Sequence, residues 1–223
     1  MSSSLPTLSL LETRVLGVLV EKQRAVPDTY PLTLNALTAG CNQKTSRDPV
    51  LSATEAEVQL ALDRLRSLSL IIESSGGRVM RYAHNIERVL GVPSQAVALL
   101  ATLMLRGPQT VGALRINCER LHRFADTSAV EAFLHELAER ATGALVVELP
   151  RAPGARENRW AHLLSGTPIV EETPRAPAPE HRTGGIMASE IAELKATVDQ
   201  LRAQLSALED SVARLRAELG EGS

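Results

Sequence analysis

The cysteine and histidine side chains are the first residues to consider for chemistry, because zinc binds through clustered Cys and His. Cys118 and His122 are four residues apart and would share one face of a helix, with His135 as the third candidate ligand. Cys118, however, occupies the same position as Cys41 in an internal repeat of the chain, on an apolar stripe that favours the core. We therefore predict no metal site and no cofactor.

Motifs for catalysis on other substrates are absent from the sequence. It contains no GxxxxGK[ST] phosphate loop, no glycine-rich turn after a buried strand, and no serine that a motif would place beside His122 and Asp126. The carboxylates occur singly on amphipathic helices, where a solvated face is the ordinary interpretation. The sequence therefore predicts no catalytic residue and a protein that is not an enzyme.

Basic side chains are the remaining residues that could do chemistry, by neutralising the phosphates of a nucleic acid. Residues 1–168 carry 18 Lys and Arg against 16 Asp and Glu, whereas residues 169–223 carry 6 against 10. The candidates lie on two predicted hairpins and just before a predicted third helix: Lys44, Arg47, Arg78, Arg81, Arg151, Arg156 and Arg159. Arginines on hairpins are more often plain solvated surface, so both interpretations stay open.

The composition favours a helical fold with an aliphatic core. Aromatic residues make up only 2% of the 223 residues, whereas leucine occurs 34 times. Sandwiches and barrels rely on aromatic and β-branched residues, so this composition disfavours them. The fold class that we predict is mainly α with small β-hairpin wings, an α+β protein.

Three helices and a hairpin are predicted in the first part of the chain. Apolar residues at spacings of three and four predict a helix over 8–24. Tyr30-Pro31 predicts a second helix with proline in its first turn. Ser52 followed by Glu55 is typical of a capping box that begins a third helix. The last element is a hairpin around Gly76-Gly77, with strands at 70–74 and 78–83.

The same order of elements recurs in the next part of the chain. The second copy consists of three helices and a hairpin, predicted over 94–106, from Thr110, over 127–141, and over 144–149 with 158–164. Cys41 and Cys118 occupy matching positions 77 residues apart. Two copies of helix–helix–helix–hairpin predict tandem winged-helix domains at 1–90 and 91–166.

The cysteines and the apolar runs bear on the compartment. Two cysteines in 223 residues do not form a disulfide framework, so we expect Cys41 and Cys118 to be buried, reduced and unlinked. The N-terminus has neither the basic region nor the apolar run of a secretory signal. The longest apolar run, 96–105, is too short to span a bilayer. We predict a cytoplasmic protein with no membrane partner.

The last part of the chain changes in character. Four of the twelve prolines lie within residues 168–179, which predicts an extended linker over 167–186. A heptad pattern follows over 187–220, with an unbroken alternation of three and four residues between apolar positions, and it favours a parallel two-stranded coiled coil. Its predicted dimerisation residues are Ile191, Leu194, Val198, Leu201, Leu205, Leu208, Val212 and Leu215. An amphipathic helix that folds back onto its own domains is the alternative.

Short motifs in both copies resemble a known family. They are Glu21-Lys22-Gln23, Tyr30-Pro31-Leu32, Asn35, Cys41-Asn42-Gln43-Lys44-Thr45 and Arg47-Asp48-Pro49-Val50, and in the second copy residues 105–110, Gly112, Leu114-Arg115 and residues 156–160. With these motifs the chain resembles, over residues 8 to about 166, the YceH family of uncharacterised bacterial proteins. The resemblance implies a tandem winged-helix fold and a bacterial source. It implies no catalytic or ligand-binding residue.

Two classes of function follow from a winged-helix fold. Winged helices bind DNA by placing the third helix in the major groove and the wing along the backbone. Here the predicted third helices expose acids that would repel phosphates, namely Glu55, Glu57, Glu131 and Glu136, so we expect DNA contacts from the hairpins and residues 44–47. We predict a regulatory DNA-binding protein of unknown target. The alternative is an adaptor that binds another protein without contacting DNA.

The heptad pattern leads to a prediction about assembly. The full-length chain should be a homodimer, and a chain that ends at residue 186 should be a monomer, because the predicted coil supplies the apolar seam between two copies. Size-exclusion chromatography with light scattering measures both masses at tens of micromolar. A monomeric full-length chain, or a truncated chain that remains dimeric, would contradict the prediction.

Overall fold

The computed structural model describes residues 6–75, 79–151 and 154–168. The first half of this part, residues 6–90, contains α1 (Leu10–Ala25), β1 (Leu32–Thr33), α2 (Leu34–Cys41), α3 (Glu55–Ser67), β2 (Ile71–Ser74), β3 (Arg81–His84) and α4 (Ile86–Leu90). The second half, residues 91–168, contains α5 (Ser94–Arg106), α6 (Val111–Cys118), α7 (Thr127–Ala138), β4 (Val146–Leu149) and β5 (Arg159–His162). The predicted α+β class is confirmed. The predicted coiled coil at 187–220 and nearly all of the linker at 167–186 lie outside the described residues.

Each half has an antiparallel hairpin after its third long helix, as the sequence predicts. In the first half β2 pairs with β3, beginning with Ile71 opposite His84, and in the second half β4 pairs with β5. The predicted turn residues Gly76-Gly77 lie outside the described residues. The first sheet also has a strand that the sequence analysis did not predict, because β1 pairs with β3 through Leu32 and Tyr82.

The predicted start of the second helix at Tyr30-Pro31 is wrong. Leu32 and Thr33 form β1, and α2 begins only at Leu34, with Thr33 as its N-cap. The Thr33 hydroxyl accepts a hydrogen bond from the Ala36 N–H at 3.3 Å. Pairing with β3 keeps the backbone after the proline extended, so the helix begins directly after the strand, at a residue type that caps helices well.

The capping box of the third helix is also displaced from its predicted position. Ser52 and Glu55 do not form it; instead the Thr54 hydroxyl accepts from the Glu57 N–H at 3.3 Å, and the Glu57 carboxylate accepts from the Thr54 N–H at 2.7 Å. The cause is the Asn42 side chain, which makes two 2.7 Å hydrogen bonds with the backbone N–H and C=O of residue 53. These bonds hold residue 53 outside a helix, so α3 begins later than predicted.

The third helix of the second half ends three residues earlier than predicted. α7 stops at Ala138 rather than at residue 141. Just beyond it, the Arg140 guanidinium donates to the backbone carbonyls of Leu90 and Gly91. Arg140 therefore ties the end of α7 to the junction between the two halves.

α1 and α5 form the centre of the structure. Every residue of α1 from Thr13 to Val20 and every residue of α5 from Ala96 to Leu105 is buried. A helix that is buried on all sides lies inside a core, and these two helices pack against each other. One continuous apolar core therefore serves both halves, and the domain boundary between residues 90 and 91 stays a prediction.

Two further contacts concern this central helix pair and the ends of the described part. Gly17 allows α1 and α5 to approach closely, because a β-carbon at this position would lie 2.9 Å from the Leu105 side chain.

At the ends of the described part, the Leu8 N–H donates to the Leu164 carbonyl at 2.8 Å. The start of the first half and the end of the second half are therefore held side by side.

Both cysteines are buried and free, as predicted. Cys41 is the last residue of α2 and Cys118 is the last residue of α6, so they occupy equivalent places in the two halves. Burial raises the pKa of the Cys41 thiol to about 12 and also raises the pKa of the Cys118 thiol. Both side chains are therefore neutral thiols at neutral pH.

The helices in the described ranges are all too short or too polar to cross a bilayer. α5 contains the longest apolar run of the sequence, but its 13 residues correspond to a length of only about 20 Å.

The close approach of α1 and α5 leads to a prediction about stability. Gly17→Ala places a methyl group against Leu105, and overpacking of this kind costs about 1–3 kcal/mol of the free energy of unfolding. Gly112→Ala in α6 is the matched control, because no atom lies within 4 Å of the added carbon, and it should be neutral or slightly stabilising. Urea unfolding measures both effects. Equal stability of the two variants would show that α1 and α5 are not tightly packed at Gly17.

Candidate nucleic-acid interface

The 42–50 segment, which directly follows α2 and leads toward α3, is attached to α1 by a buried arginine. Arg14 lies in the middle of α1, and its guanidinium donates to the Cys41 carbonyl at 3.2 Å and to the Pro49 carbonyl at 2.7 Å. Burial and the nearby charge of Arg47 lower the pKa of Arg14 from its usual value. The carbonyl acceptors offset the cost of burying the charge, and the two ends of the segment are fixed to one helix.

A second arginine holds the middle of the same segment. The Arg47 guanidinium forms a bidentate pair with the Glu21 carboxylate of α1 at 2.6 and 3.1 Å. It also donates to the Gly40 carbonyl at 3.1 Å and to the Gln43 side chain at 3.0 Å. The side chain of Arg47 is 0% exposed. The prediction that Arg47 contacts nucleic acid therefore needs correction, because its guanidinium is buried and bonded within the protein.

The 42–50 segment also contacts the second half of the structure. The Asp48 N–H donates to the Leu105 carbonyl at 2.8 Å, and the Arg106 guanidinium donates to the Ser46 hydroxyl at 2.6 Å. Ser46 has a φ of 60°, a conformation that residues other than glycine adopt rarely. The segment is therefore a bridge that touches α1 on one side and the end of α5 on the other.

Lys44 and Arg81 are the predicted contacts of the first half that remain exposed. Lys44 lies on the surface of the 42–50 segment. Arg81 begins β3 and donates to the Pro31 carbonyl at 2.8 Å while staying exposed. The two residues share no bonding partner in the described ranges, and Arg78 lies outside them.

The second hairpin brings three predicted contacts together. Arg151 follows β4, Arg159 begins β5, and Arg156 lies between them; all three side chains are exposed. Across the hairpin the Asn158 amide donates to the Glu148 carboxylate at 2.9 Å. Among the described residues, no hydrogen bond or ion pair engages the three arginines, so their guanidinium groups face solvent.

A groove of about 600 Å³ lies between this hairpin and α7. Arg151 and Arg156 line one side of it, and Glu131 of α7 lines the other. At its base the His135 ring packs edge-on against Trp160, with the ring centres 5.3 Å apart. The hairpin side of the groove thus carries two acids, Glu148 and Glu157, beside its two arginines, and the helix side carries Glu131.

The outward faces of the third helices are acidic, as predicted. Glu55 of α3 accepts a hydrogen bond from the Asn35 amide at 3.1 Å, and hydrogen bonds from Thr54 lower the pKa of Glu57. In α7, Glu131 and Glu136 are exposed. The first turn of α3, where a DNA-reading helix would approach the duplex, therefore carries negative charge, whereas the exposed acids of α7 lie after its first turn.

The candidate zinc ligands are not assembled. The His122 ring packs edge-on against Phe124, with the ring centres 4.7 Å apart, while His135 packs against Trp160. Cys118 is buried at the end of α6. Within residues 6–168, apart from the undescribed loop residues, no group of three Cys, His, Asp or Glu side chains is placed to hold a metal ion.

Two histidines have pKa values that burial lowers, and hydrogen bonds hold one of them, His84, inside the fold. Burial lowers the pKa of His84 and of His162 to about 4. The His84 ring lies 2.6 Å from the Gln23 side-chain oxygen, and the His84 backbone N–H donates to the Tyr30 hydroxyl at 2.7 Å. Both histidines are neutral at neutral pH, as their packing requires.

The residues that position this region were not among those predicted from the sequence. Arg14 and Glu21 lie on the buried side of α1, in step with Leu11 and Val18 at spacings of three and four. Charged residues in register with an apolar stripe are the signal that could have revealed them. Arg24 was missed too; it reaches the carbonyls of the second half at Leu121 and Ser94.

This α+β chain with two hairpin-bearing halves has relatives in several bacteria. The family described as "Protein of unknown function, DUF480" matches residues 8–155. A "UPF0502 protein" of Dechloromonas aromatica is 60% identical over 223 residues, which are 100% of this chain and 99% of that protein. Another, of Leptothrix cholodnii, is 58% identical over 213 residues, 96% of each chain. The chain belongs to this family of uncharacterised bacterial proteins, and the resemblance to the YceH family is confirmed.

The buried ion pair leads to a prediction about the 42–50 segment. Arg47→Ala should lower the free energy of unfolding by about 3 kcal/mol, because it leaves the Glu21 carboxylate partly buried without its partner. Lys44→Ala is the control within the same segment, and its effect should stay within about 0.5 kcal/mol, since Lys44 is exposed. Thermal or urea unfolding followed by circular dichroism compares them. Two equally stable variants would mean that Arg47 does not anchor the segment.

Proposed function

We propose that this chain is a non-enzymatic regulatory protein with two winged-helix domains that binds duplex DNA through phosphate contacts from its second hairpin. The order helix–helix–helix–hairpin, which occurs in both halves, supports the winged-helix assignment. In such a domain the hairpin is the wing, which lies along the DNA backbone. Dimerisation through residues 187–220 would present two such hairpins to one duplex.

The observation that carries this proposal is that Arg151, Arg156 and Arg159 lie together on one hairpin, whereas the exposed Arg64 and Arg88 lie on two separate helices. Arg24, Arg66 and Arg140 are each bonded to carbonyls or carboxylates of the protein. Arg156 and Arg159 are exposed and have no such partner among the described residues. A guanidinium group binds phosphate in a bidentate manner, and these two can do so without breaking an internal bond.

The acidic third helices favour backbone contacts over base reading. Glu131 and Glu136 would stand close to phosphates if α7 entered the major groove, and this repulsion would lower the affinity. Contacts to phosphate position a protein but carry no sequence information. We therefore expect weak binding with little sequence preference. Three arginine contacts correspond, for each hairpin on the duplex, to a slope of about −2.7 for the logarithm of the association constant against the logarithm of salt concentration.

A second candidate function is that of an adaptor that binds another protein. The observation in its favour is Leu60, which is 70% exposed in α3. A helix that reads DNA would carry polar groups at such a position, whereas a large exposed apolar side chain fits a protein interface better. Neither DNA binding nor protein binding requires a catalytic residue, and the sequence predicts none.

Fluorescence anisotropy with two short duplexes of unrelated sequence tests the proposed function. Replacing both Arg156 and Arg159 by Ala should weaken binding to the two duplexes by a similar factor. It should also reduce the magnitude of the salt slope by about 1.8 for each hairpin on the duplex, since each hairpin loses two phosphate contacts. The control is the double variant Arg64→Ala and Arg88→Ala, which removes two exposed arginines from the first half. Its affinity should stay close to that of the wild-type protein.

The outcomes separate the two functions. Equal losses in the two double variants would assign the binding to the overall charge and not to the second hairpin, which contradicts the proposal. A wild-type chain that binds neither duplex at low salt would also contradict it. In that case Leu60→Asp, tested for the loss of a protein partner, becomes the experiment for the adaptor.

A further inference from the structure

A second cavity lies between the two halves, apart from the hairpin groove. This cleft has a volume of about 220 Å³ and is bounded by the end of α1, the 42–50 segment, the end of α5, and α6 with the turn that follows it. Thr102 and Leu105, both buried, form part of its wall. Residues of both halves thus surround one small space.

The cleft carries an excess of positive charge. Lys22, Arg106 and Arg120 line it from three different elements. Its lining contains one carboxylate, Glu21, which already forms the bidentate pair with Arg47 at 2.6 and 3.1 Å. The Lys22 ammonium also lies 3.7 Å from the Glu21 carboxylate, so Arg106 and Arg120 are the lining cations that have no carboxylate partner among the described residues.

Neutral hydrogen-bonding groups lie beside these cations. Thr45, Ser46 and Asn117 line the cleft, and Thr45 is exposed. The Ser46 hydroxyl accepts from the Arg106 guanidinium at 2.6 Å, which orients that guanidinium at the edge of the cleft. A guanidinium has five N–H donors, so Arg106 keeps donors for a ligand while it holds Ser46.

Helix dipoles account for part of this arrangement but not for all of it. Lys22 and Arg106 lie in the last turns of α1 and α5, where cations are favoured. The carbonyls there already have backbone donors, because the Val26 N–H bonds to the Lys22 carbonyl and the Gly107 N–H bonds to the Leu103 carbonyl. The dipoles also do not explain why three such positions converge on one cavity.

We propose that this cleft binds a small organic anion through its phosphate or carboxylate group. Arg120, Arg106 and Lys22 would surround the anionic group, because guanidinium groups match the geometry of both kinds of oxyanion. Thr45 would add a neutral donor. The volume lies below the range of pockets for drug-sized ligands, so the ligand is a small metabolite. This site lies apart from the second hairpin and does not depend on DNA binding.

Thermal unfolding of the full-length chain with added anions tests the site. Inorganic phosphate and succinate are the two probes, and sodium chloride at the same ionic strength is the reference. A ligand that binds the folded state raises Tm in a saturable way, so at least one probe should raise Tm by several degrees beyond chloride. The probe that acts identifies the preferred anionic group. If neither probe exceeds chloride, the proposal is overturned.

Variants then locate the binding. Arg120→Ala should weaken the apparent affinity for the active probe at least about tenfold, because a charge-assisted contact is lost. Arg123→Ala is the matched control, since Arg123 lies in the same loop, is 83% exposed and does not line the cleft. The double variant at Arg156 and Arg159 should keep the effect of the anion. An affinity that survives Arg120→Ala, or falls equally with Arg123→Ala or with the hairpin variant, would overturn the proposal without bearing on DNA binding.

Discussion

The two buried arginines that hold the 42–50 segment against α1 are the constraint on which the rest of the structure depends. Arg14 fixes the two ends of the segment and Arg47 fixes its middle, so a stretch without helix or strand has one path over α1. That path places Asp48 against the end of α5 and Ser46 against Arg106. Buried charge is costly unless it is bonded, and here carbonyls and a carboxylate accept from both guanidinium groups, although the buried Nε of Arg14 has no partner among the described residues. Because these bonds fix the path of the 42–50 segment, they also determine where the two halves contact each other.

Arginine serves two separate purposes in this protein. Arg24 and Arg140 extend to backbone carbonyls at or across the junction of the halves, so they contribute to the architecture. Arg156 and Arg159 on the second hairpin have no internal partner among the described residues. The two groups have the same charge and differ only in what they touch. In this family, loss of function after an arginine substitution therefore has to be separated from loss of folding before it is assigned to a binding surface.

The features that the sequence predicts well are those decided by nearby residues. α5 has the predicted bounds, 94–106, because a proline precedes it and a glycine follows it. The predicted first residues of α2 and α3 were wrong because contacts between residues far apart in the sequence determine where these helices begin. These contacts are the pairing of β1 with β3 and the hydrogen bonds between Asn42 and Ala53. The exposure of a side chain at a hairpin tip also depends on nearby residues, and Arg156 is exposed between β4 and β5, on the predicted hairpin. The burial of Arg47 depends on its ion pair with Glu21, which lies 26 residues earlier in the sequence. A pattern of neighbouring residues cannot predict a contact over that separation.

The hydrogen bond between Leu8 and Leu164 closes the described part of the chain into a ring. A domain whose beginning and end lie side by side is suited to circular permutation, because a short linker can join the old termini while new ones open in an exposed loop. In the native order, the same closure means that the residues after 168 depart from beside the start of α1.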